Sequence, residues 1–377
     1  MNQKTKQVCT RCIMDSSVPN IRFDAQGICN YCTDFLDRCA HVLDDSSEIK
    51  AKKLKALVDE VKHGGQGKRY DCIVGVSGGV DSSWVLVRAV ELGLRPLAVH
   101  MDNGWNSELA QNNIANLVQK LGVDLYTHVI DWPEYKALMQ AFFDADVLDV
   151  ELLYDNAALA VNYRQGAKFG VRHILAGTNS ATEGMTMPQG WNWNKFDKKN
   201  IQAIGKRFTN TTLRTFPSIG TFDFFKLRFV NGVRWTSVLD LMPYNKAAVL
   251  KELTDKYGYK PYPYKHYESI FTRFYQGYLL PTKFGVDKRK LHLGTLVASG
   301  QMDRADALKD LDKLPYPSEA QLNEDRQYFL KKMAWTQAQL DAYLARPPVP
   351  HDAYPSEVGR WNFATRVLMG LRSLRSR

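Results

Sequence analysis

Cys72-Ile73-Val74-Gly75-Val76 runs directly into Ser77-Gly78-Gly79-Val80-Asp81-Ser82. A short apolar run, two consecutive glycines and an acid between serines predict a buried strand, a tight turn and a helix N-terminus. Two glycines let the main chain approach an anion without Cβ interference, and the first-turn N–H groups of the helix point at it. Ser77 and Ser82 add hydroxyl donors, and Asp81 can hold Mg²⁺ against the same phosphates. The Walker pattern is excluded, because it requires lysine where this loop has valine and aspartate.

Strand and helix signals alternate downstream of that loop. Apolar runs at 72–76, 97–101, 125–130 and 173–177 predict strands. Helical periodicity at 82–92, 108–121, 132–144 and 150–169 predicts the crossovers, with Gly93 and Gly122 as stops. Short apolar strands joined by helices imply an α/β fold, a doubly wound parallel sheet whose ligands collect at the carboxyl ends of the strands. The ends at Ser77, at His100-Met101-Asp102 and at Gly177-Thr178 should converge on one nucleotide.

Upstream, four of the six cysteines form Cys9-x-x-Cys12 and Cys29-x-x-Cys32, sixteen residues apart. Two such knuckles bring four thiolates to one Zn²⁺, and an iron–sulfur cluster is the alternative occupant. Residues 1–45 are therefore expected to be a zinc-binding module. It is too small to own a core, and zinc binding, worth roughly 10–16 kcal/mol, supplies what apolar burial cannot. Residues 46–69 predict a lysine-rich helix ended by the linker Gly64-Gly65-Gln66-Gly67.

The 377 residues are 45% hydrophobic and carry a formal charge of +10, the size and composition of a globular protein that attracts anions. Nothing at residues 1–10 resembles a signal peptide and no apolar stretch approaches a membrane span, so a cytoplasmic setting is expected. Part of the charge lies in Arg360, Arg366, Arg372, Arg375 and Arg377, interleaved with Trp361, Phe363, Val367, Leu368, Leu371 and Leu374. That tail predicts peripheral contact with an anionic membrane, docking on a partner, or a plain terminal helix.

After residue 179 the alternation is lost. Residues 70–230 are read as the catalytic domain with its substrate loops, and 231–377 as a mainly helical substrate or partner region. Helices are expected at 239–257, 298–311 and 319–344. Trp191 and Trp193 alternate with amides, a spacing that fits either a sugar-binding surface or loop aromatics folded onto the core. Lys283, Lys288 and Arg289 are candidates to neutralise a diphosphate or carboxylate, or else form a solvated charge run on the surface.

The loop 77–82 resembles the PP-loop of the N-type ATP pyrophosphatases, which cut ATP between the α and β phosphates and adenylate a carbonyl oxygen. By that resemblance Ser77, Gly78, Gly79, Asp81 and Ser82 bind ATP and Mg²⁺, and Met101 either marks the adenine position or is core, with Asp102 a helix cap. Gly177 and Thr178 close over the ribose and α-phosphate, with Asn179 beside them and Glu183 a second acid for Mg²⁺. Residues 9–15, 27–32, 77–82, 177–179 and the block 265–292 together resemble, in order, the N-acetyl sugar amidotransferases of bacterial surface-polysaccharide (LPS O-antigen) synthesis. Membership implies transfer of ammonia onto the acetamido group of an acidic N-acetylated sugar, free or nucleotide-linked such as a UDP-sugar, with AMP and pyrophosphate released. Glu268 or His266 would serve as base, and a cation such as Arg273 would meet the developing charge.

No cysteine follows Met1 directly, and none lies in a G-x-C-x-G elbow, so a separate glutaminase subunit is expected to supply the ammonia. Two other readings compete. A PP-loop tRNA thiolation enzyme also adenylates an oxygen, but no cysteine follows Cys72 to carry a persulfide. A nucleotide-regulated zinc-ribbon RNA-binding protein would bind with a steep salt dependence, whereas the sugar enzyme is expected to bind no nucleic acid.

Overall fold

The computed structural model describes residues 6–262 and 268–375. Five parallel strands form one sheet in the order β3-β2-β1-β4-β5, with β1 Cys72–Gly75, β2 Pro96–Asp102, β3 Asp124–Val129, β4 His173–Ala176 and β5 Arg234–Ser237. Val74 pairs with Ala98 on one side and Leu175 on the other, so the chain reverses its direction of strand addition between β1 and β4. The loop that follows β1 opens at that crevice.

Strand parity divides the core. Cys72, Val74, Ala98 and Leu175 face a layer made by helices α2 (Ser47–Gly64), α3 (Val80–Glu91) and α4 (Glu108–Leu121) and by the helix Lys246–Tyr257. Ile73, Leu97, Val99 and Ile174 face a larger cluster that takes in α5 (Trp132–Asp144), α6 (Leu152–Lys168), the cysteine module and the C-terminal helices. Val58 and Val61 of α2 are buried in the first cluster, so the helix between the cysteine module and the sheet is part of the sheet's cover.

Four sequence expectations are corrected. β5 lies beyond residue 230, where Arg234 and Trp235 are exposed at the sheet edge and leave no apolar run to read. The helix expected at 239–257 starts at Lys246, capped by Asn245, after a 3₁₀ turn. The helix expected at 298–311 is two, Arg289–Ala298 and Arg304–Asp312, parted by Gly300 at φ +75° and restarted by the Asp303 cap. The span 319–344 is likewise broken at Ala334, φ +57°, with Thr336 capping the second helix.

Candidate active site

The turn after β1 is built for close approach. Gly78 sits at φ +83°, and a Cβ there would meet the Ala110 carbonyl at 2.9 Å. A Cβ on Gly177, at the end of β4, would lie 2.8 Å from the Ser82 nitrogen. Both positions therefore demand glycine. Ser82 Oγ accepts from the Ser77 nitrogen at 3.3 Å and lies 3.2 Å from Ser77 Oγ, and the Gly79 nitrogen donates to Ser77 Oγ at 3.3 Å. Helix α3 begins at Gly79 without a side-chain cap, so its first-turn N–H groups face the cleft with the positive end of the helix dipole.

Two tyrosines hold the turn from beneath. Tyr259 and Tyr262 both donate to the Gly78 carbonyl, at 2.8 and 2.9 Å. Burial pushes both phenols up, Tyr262 to about 12, so they remain donors. His100, on β2, fixes the other flank through Nδ1 and the Val76 carbonyl at 2.8 Å, and burial lowers its pKa toward the neutral ring.

The cleft has a volume of about 450 Å³ and is lined by Ser77, Gly79, Asp81, Ser82, Gly177, Thr178, Glu183, Glu268, Lys246 and Tyr262, among others. Asp81 accepts from the Tyr244 hydroxyl and lies 4.0 Å from the Lys246 ammonium. Burial first, and then the Asp81 charge, drives the Tyr244 phenol up, so it stays a donor. Glu268 is placed by a short antiparallel bridge: Ser107 donates to its carbonyl at 3.0 Å, and Asn106 pairs with Ser269. The expected residues of the phosphate loop and of the β4 end thus share one cleft with Glu268. The donor set, a loop of glycines and hydroxyls with Asp81 in it and Glu183 and Glu268 lining the same cleft, fits a nucleoside triphosphate with Mg²⁺.

A second cavity of about 260 Å³ adjoins it, where Lys246, Arg273, Lys288, Arg289 and His292 share the wall with Asp310 and with the apolar Leu293, Leu296, Pro315 and Pro317. Lys246 borders both. The cations of this wall are held in place: Lys288 pairs with Glu151 at 3.0 Å, Arg289 with Asp287 at 2.7 Å, and Arg273 grips Asp325 through two hydrogen bonds of 2.5 and 2.6 Å.

Other expected residues lie elsewhere. Met101 is buried in the larger core cluster, in register with His128, and does not line the cleft. Asn179 caps the turn Ser180–Glu183, its Oδ1 accepting from the Thr182 nitrogen at 2.9 Å. Trp191 is core. Trp193 stacks on His351 at 5.1 Å, on a different surface. Lys283 is buried against Asp146 at 3.0 Å and donates to the Tyr343 and Arg346 carbonyls. Lys265 and His266 lie outside the described residues. Sequence reading missed Lys246, Tyr244 and Tyr262; the Pro243-Tyr244-Asn245 turn and its Asn cap were the signal for the first two.

The four cysteines form a second centre. Cys9, Cys12, Cys29 and Cys32 are fully buried, with their sulfurs within 4.8 Å of one another. The nitrogens of Cys12 and Cys29 donate to Cys9 Sγ at 3.4 and 3.2 Å, and that of Met14 to Cys12 Sγ at 3.4 Å. Hydrogen bonding within the cluster lowers the Cys9 and Cys29 thiols, led by Cys12, and raises those of Cys12 and Cys32. Four converging sulfurs with N–H donors to them fit tetrahedral zinc.

Residues 50–188 match the NAD synthase family, and residues 268–368 match the family described as LPS biosynthesis protein WbpG-like, C-terminal domain. No curated protein matches the chain. Similar solved structures include NMN synthetase from Francisella tularensis, 16% identical over 58% of this chain and 99% of that one, with a TM-score of 0.30. Another is NH3-dependent NAD synthetase from Campylobacter jejuni subsp. jejuni NCTC 11168, in complex with the nitrate ion, 13% identical over 67% and 97%, at 0.29. A predicted subunit of tRNA methyltransferase from Methanocaldococcus jannaschii DSM is 12% identical over 49% and 76%, at 0.28. Likenesses this distant carry no information about the reaction. The fold and the phosphate loop together define an ATP-using domain of the NAD synthase, adenine nucleotide alpha hydrolase, type. Downstream of that domain, residues 268–368 are similar to the C-terminal domain of WbpG-like LPS biosynthesis proteins.

Proposed function

We propose that the protein is the synthetase component of a cytoplasmic ATP-dependent amidotransferase. Its substrate is an acidic N-acetylated sugar, free or nucleotide-linked, whose acetamido group becomes an acetamidino group. The shared wall carries this reading: Lys246 borders both the phosphate-loop cleft and the cationic cavity, and of two successive residues Glu183 faces the cleft and Thr182 the cavity. An anionic acceptor in the second cavity would meet the nucleotide of the first at that wall.

An amide resists ammonia because its oxygen is a poor leaving group. In the proposed reaction that oxygen attacks the α-phosphorus, the bond to pyrophosphate breaks, and an O-adenylyl imidate results. Ammonia then adds to the imidate carbon, the C–O bond breaks toward AMP, and loss of a proton leaves the amidine. The bound nucleotide and its magnesium supply the adenylyl group and screen the phosphates. Ser77, Ser82 and the N–H groups that open α3 hold the departing pyrophosphate, and Asp81 holds the cation. Lys246 neutralises charge that builds on the transferred phosphoryl group. Glu268 takes the proton from the attacking nitrogen. Lys288 and Arg289, each already held by a carboxylate, and His292 offer N–H donors to a carboxylate or diphosphate on the sugar, and a separate glutaminase subunit delivers the ammonia.

Incubation with ATP, magnesium, ammonium and candidate N-acetylated uronic-acid nucleotides tests the reading. AMP and pyrophosphate should appear in equal amounts, with a product lighter by the difference between O and NH. Release of ADP and orthophosphate, or sulfur transfer to tRNA, would overturn it.

A further inference from the structure

We propose that the ridge formed by residues 222–230 and the outer face of the C-terminal helix docks on an anionic phospholipid bilayer. The short helices Thr221–Phe225 and Lys226–Val230 run into one another and turn large apolar groups to water. Phe222 is 79% exposed and Val230 78%, with Phe229 half-exposed between cations. The helix Val358–Arg375 lies against them: Trp361 stacks on Phe196 with ring centres 4.6 Å apart and meets Phe224 at 5.2 Å and Phe225 at 6.2 Å. Trp361, Ala364, Thr365 and Leu368 form the partly buried side of that helix. Helical spacing then turns Phe363, 70% exposed, and Val367 outward between Arg360 and Arg366.

Single exposed apolar residues are ordinary, but a cluster of large ones on adjoining elements marks a contact surface. Charge selects the occupant. Lys226, Arg360 and Arg366 are exposed, and Arg228 lies over the Phe229 ring at 5.5 Å. Asp223, the one acid of the ridge, is paired with Lys198 at 3.2 Å, and residues 358–377 contain no acid. A second copy of the chain would set these cations against themselves across a two-fold axis. Phenylalanine and valine among arginines and lysine suit the boundary of an anionic bilayer, where rings enter the acyl region and cations meet phosphate headgroups. None of these residues lines the ATP cleft or the cationic cavity. Among the described residues no helix is long and apolar enough to cross a membrane, so the contact is peripheral.

Flotation of the full-length protein with vesicles of phosphatidylglycerol and phosphatidylcholine, against phosphatidylcholine alone, tests the proposal. Association with the anionic vesicles only is expected. It should fall on the order of tenfold in Phe222→Ser/Phe363→Ser and again in Arg360→Glu/Arg366→Glu, at unchanged melting temperature. A wild-type protein that does not float with anionic vesicles, or flotation indifferent to both pairs of substitutions, overturns it. So does a dimer, or a complex with an acidic protein, that the same substitutions abolish while vesicles remain unbound.

Discussion

Arg304 donates from Nε to the Cys12 carbonyl at 2.8 Å, and its Nη2 reaches the Cys9 carbonyl at 2.7 Å. The cysteine knuckle is thereby fastened to the helices that follow the cationic cavity. Lys290 adds a second tie, to Asp15 at 2.7 Å, from the helix whose residues Arg289 and His292 line that cavity.

Loss of metal is therefore expected to loosen the cavity as well as the knuckle. Cys29→Ser or exhaustive chelation should produce a separate low-temperature melting transition, and elemental analysis of the intact protein should return one zinc per chain. Arg304→Ala alone should cost about 1.5–3 kcal/mol, the worth of hydrogen bonds from a charged group, as read from thermal or denaturant melts.

Gly78→Ala tests the phosphate loop. Positive φ costs an L-residue about 1–2 kcal/mol, and the new methyl would press on the Ala110 carbonyl. The turn must shift, and kcat/KM for ATP should fall on the order of a hundredfold. A variant with unchanged ATP kinetics would remove the loop from the site.

Lys246→Met separates binding from chemistry. Its ammonium faces Asp81 and borders both cavities, so the transition state loses a positive charge at the shared wall. kcat for AMP formation should drop on the order of a hundredfold, with a smaller change in the KM for ATP. Equal effects on KM and none on kcat would assign the lysine to ground-state binding.

His351 gives the fold an acid limit. The ring is buried, accepts from the Asp149 nitrogen at 3.0 Å, sits 2.8 Å from Asn200 Oδ1 and stacks on Trp193. Burial lowers its pKa to about 4, from 6.5 in the unfolded chain. The unfolded chain thus takes up the proton first, so the stability of the neutral ring is complete above pH 6.5 and declines as the pH falls through about 4. About 3 kcal/mol is at stake. In His351→Gln the pH dependence of unfolding between those limits should flatten, and an unchanged slope would show that the imidazole titrates normally.

The nucleotide half of the molecule was readable because buried parallel strands leave continuous apolar runs and their helices carry visible stops. Gly122 ends α4 as expected. The acceptor half was not. β5 is an exposed edge strand, and the segment Tyr275–Phe284 winds as a π-helix through Pro281, a form that no spacing rule announces. Lys283 illustrates the limit for the site: a lysine in a basic block reads as a surface cation, yet this one is buried on Asp146 and two carbonyls. Which charges point into a cavity is decided by partners distant in the chain, such as Glu151 for Lys288 and Asp325 for Arg273.

The two halves also differ in where their parts come from. Most of the second cavity's wall comes from residues 273–317, whereas the first is assembled mainly from turns at the ends of β1 and β4. On the proposed function, a change of acceptor would be engineered by redrawing the later helices while the phosphate-loop turns stay untouched, with Lys246 as the hinge post common to both designs.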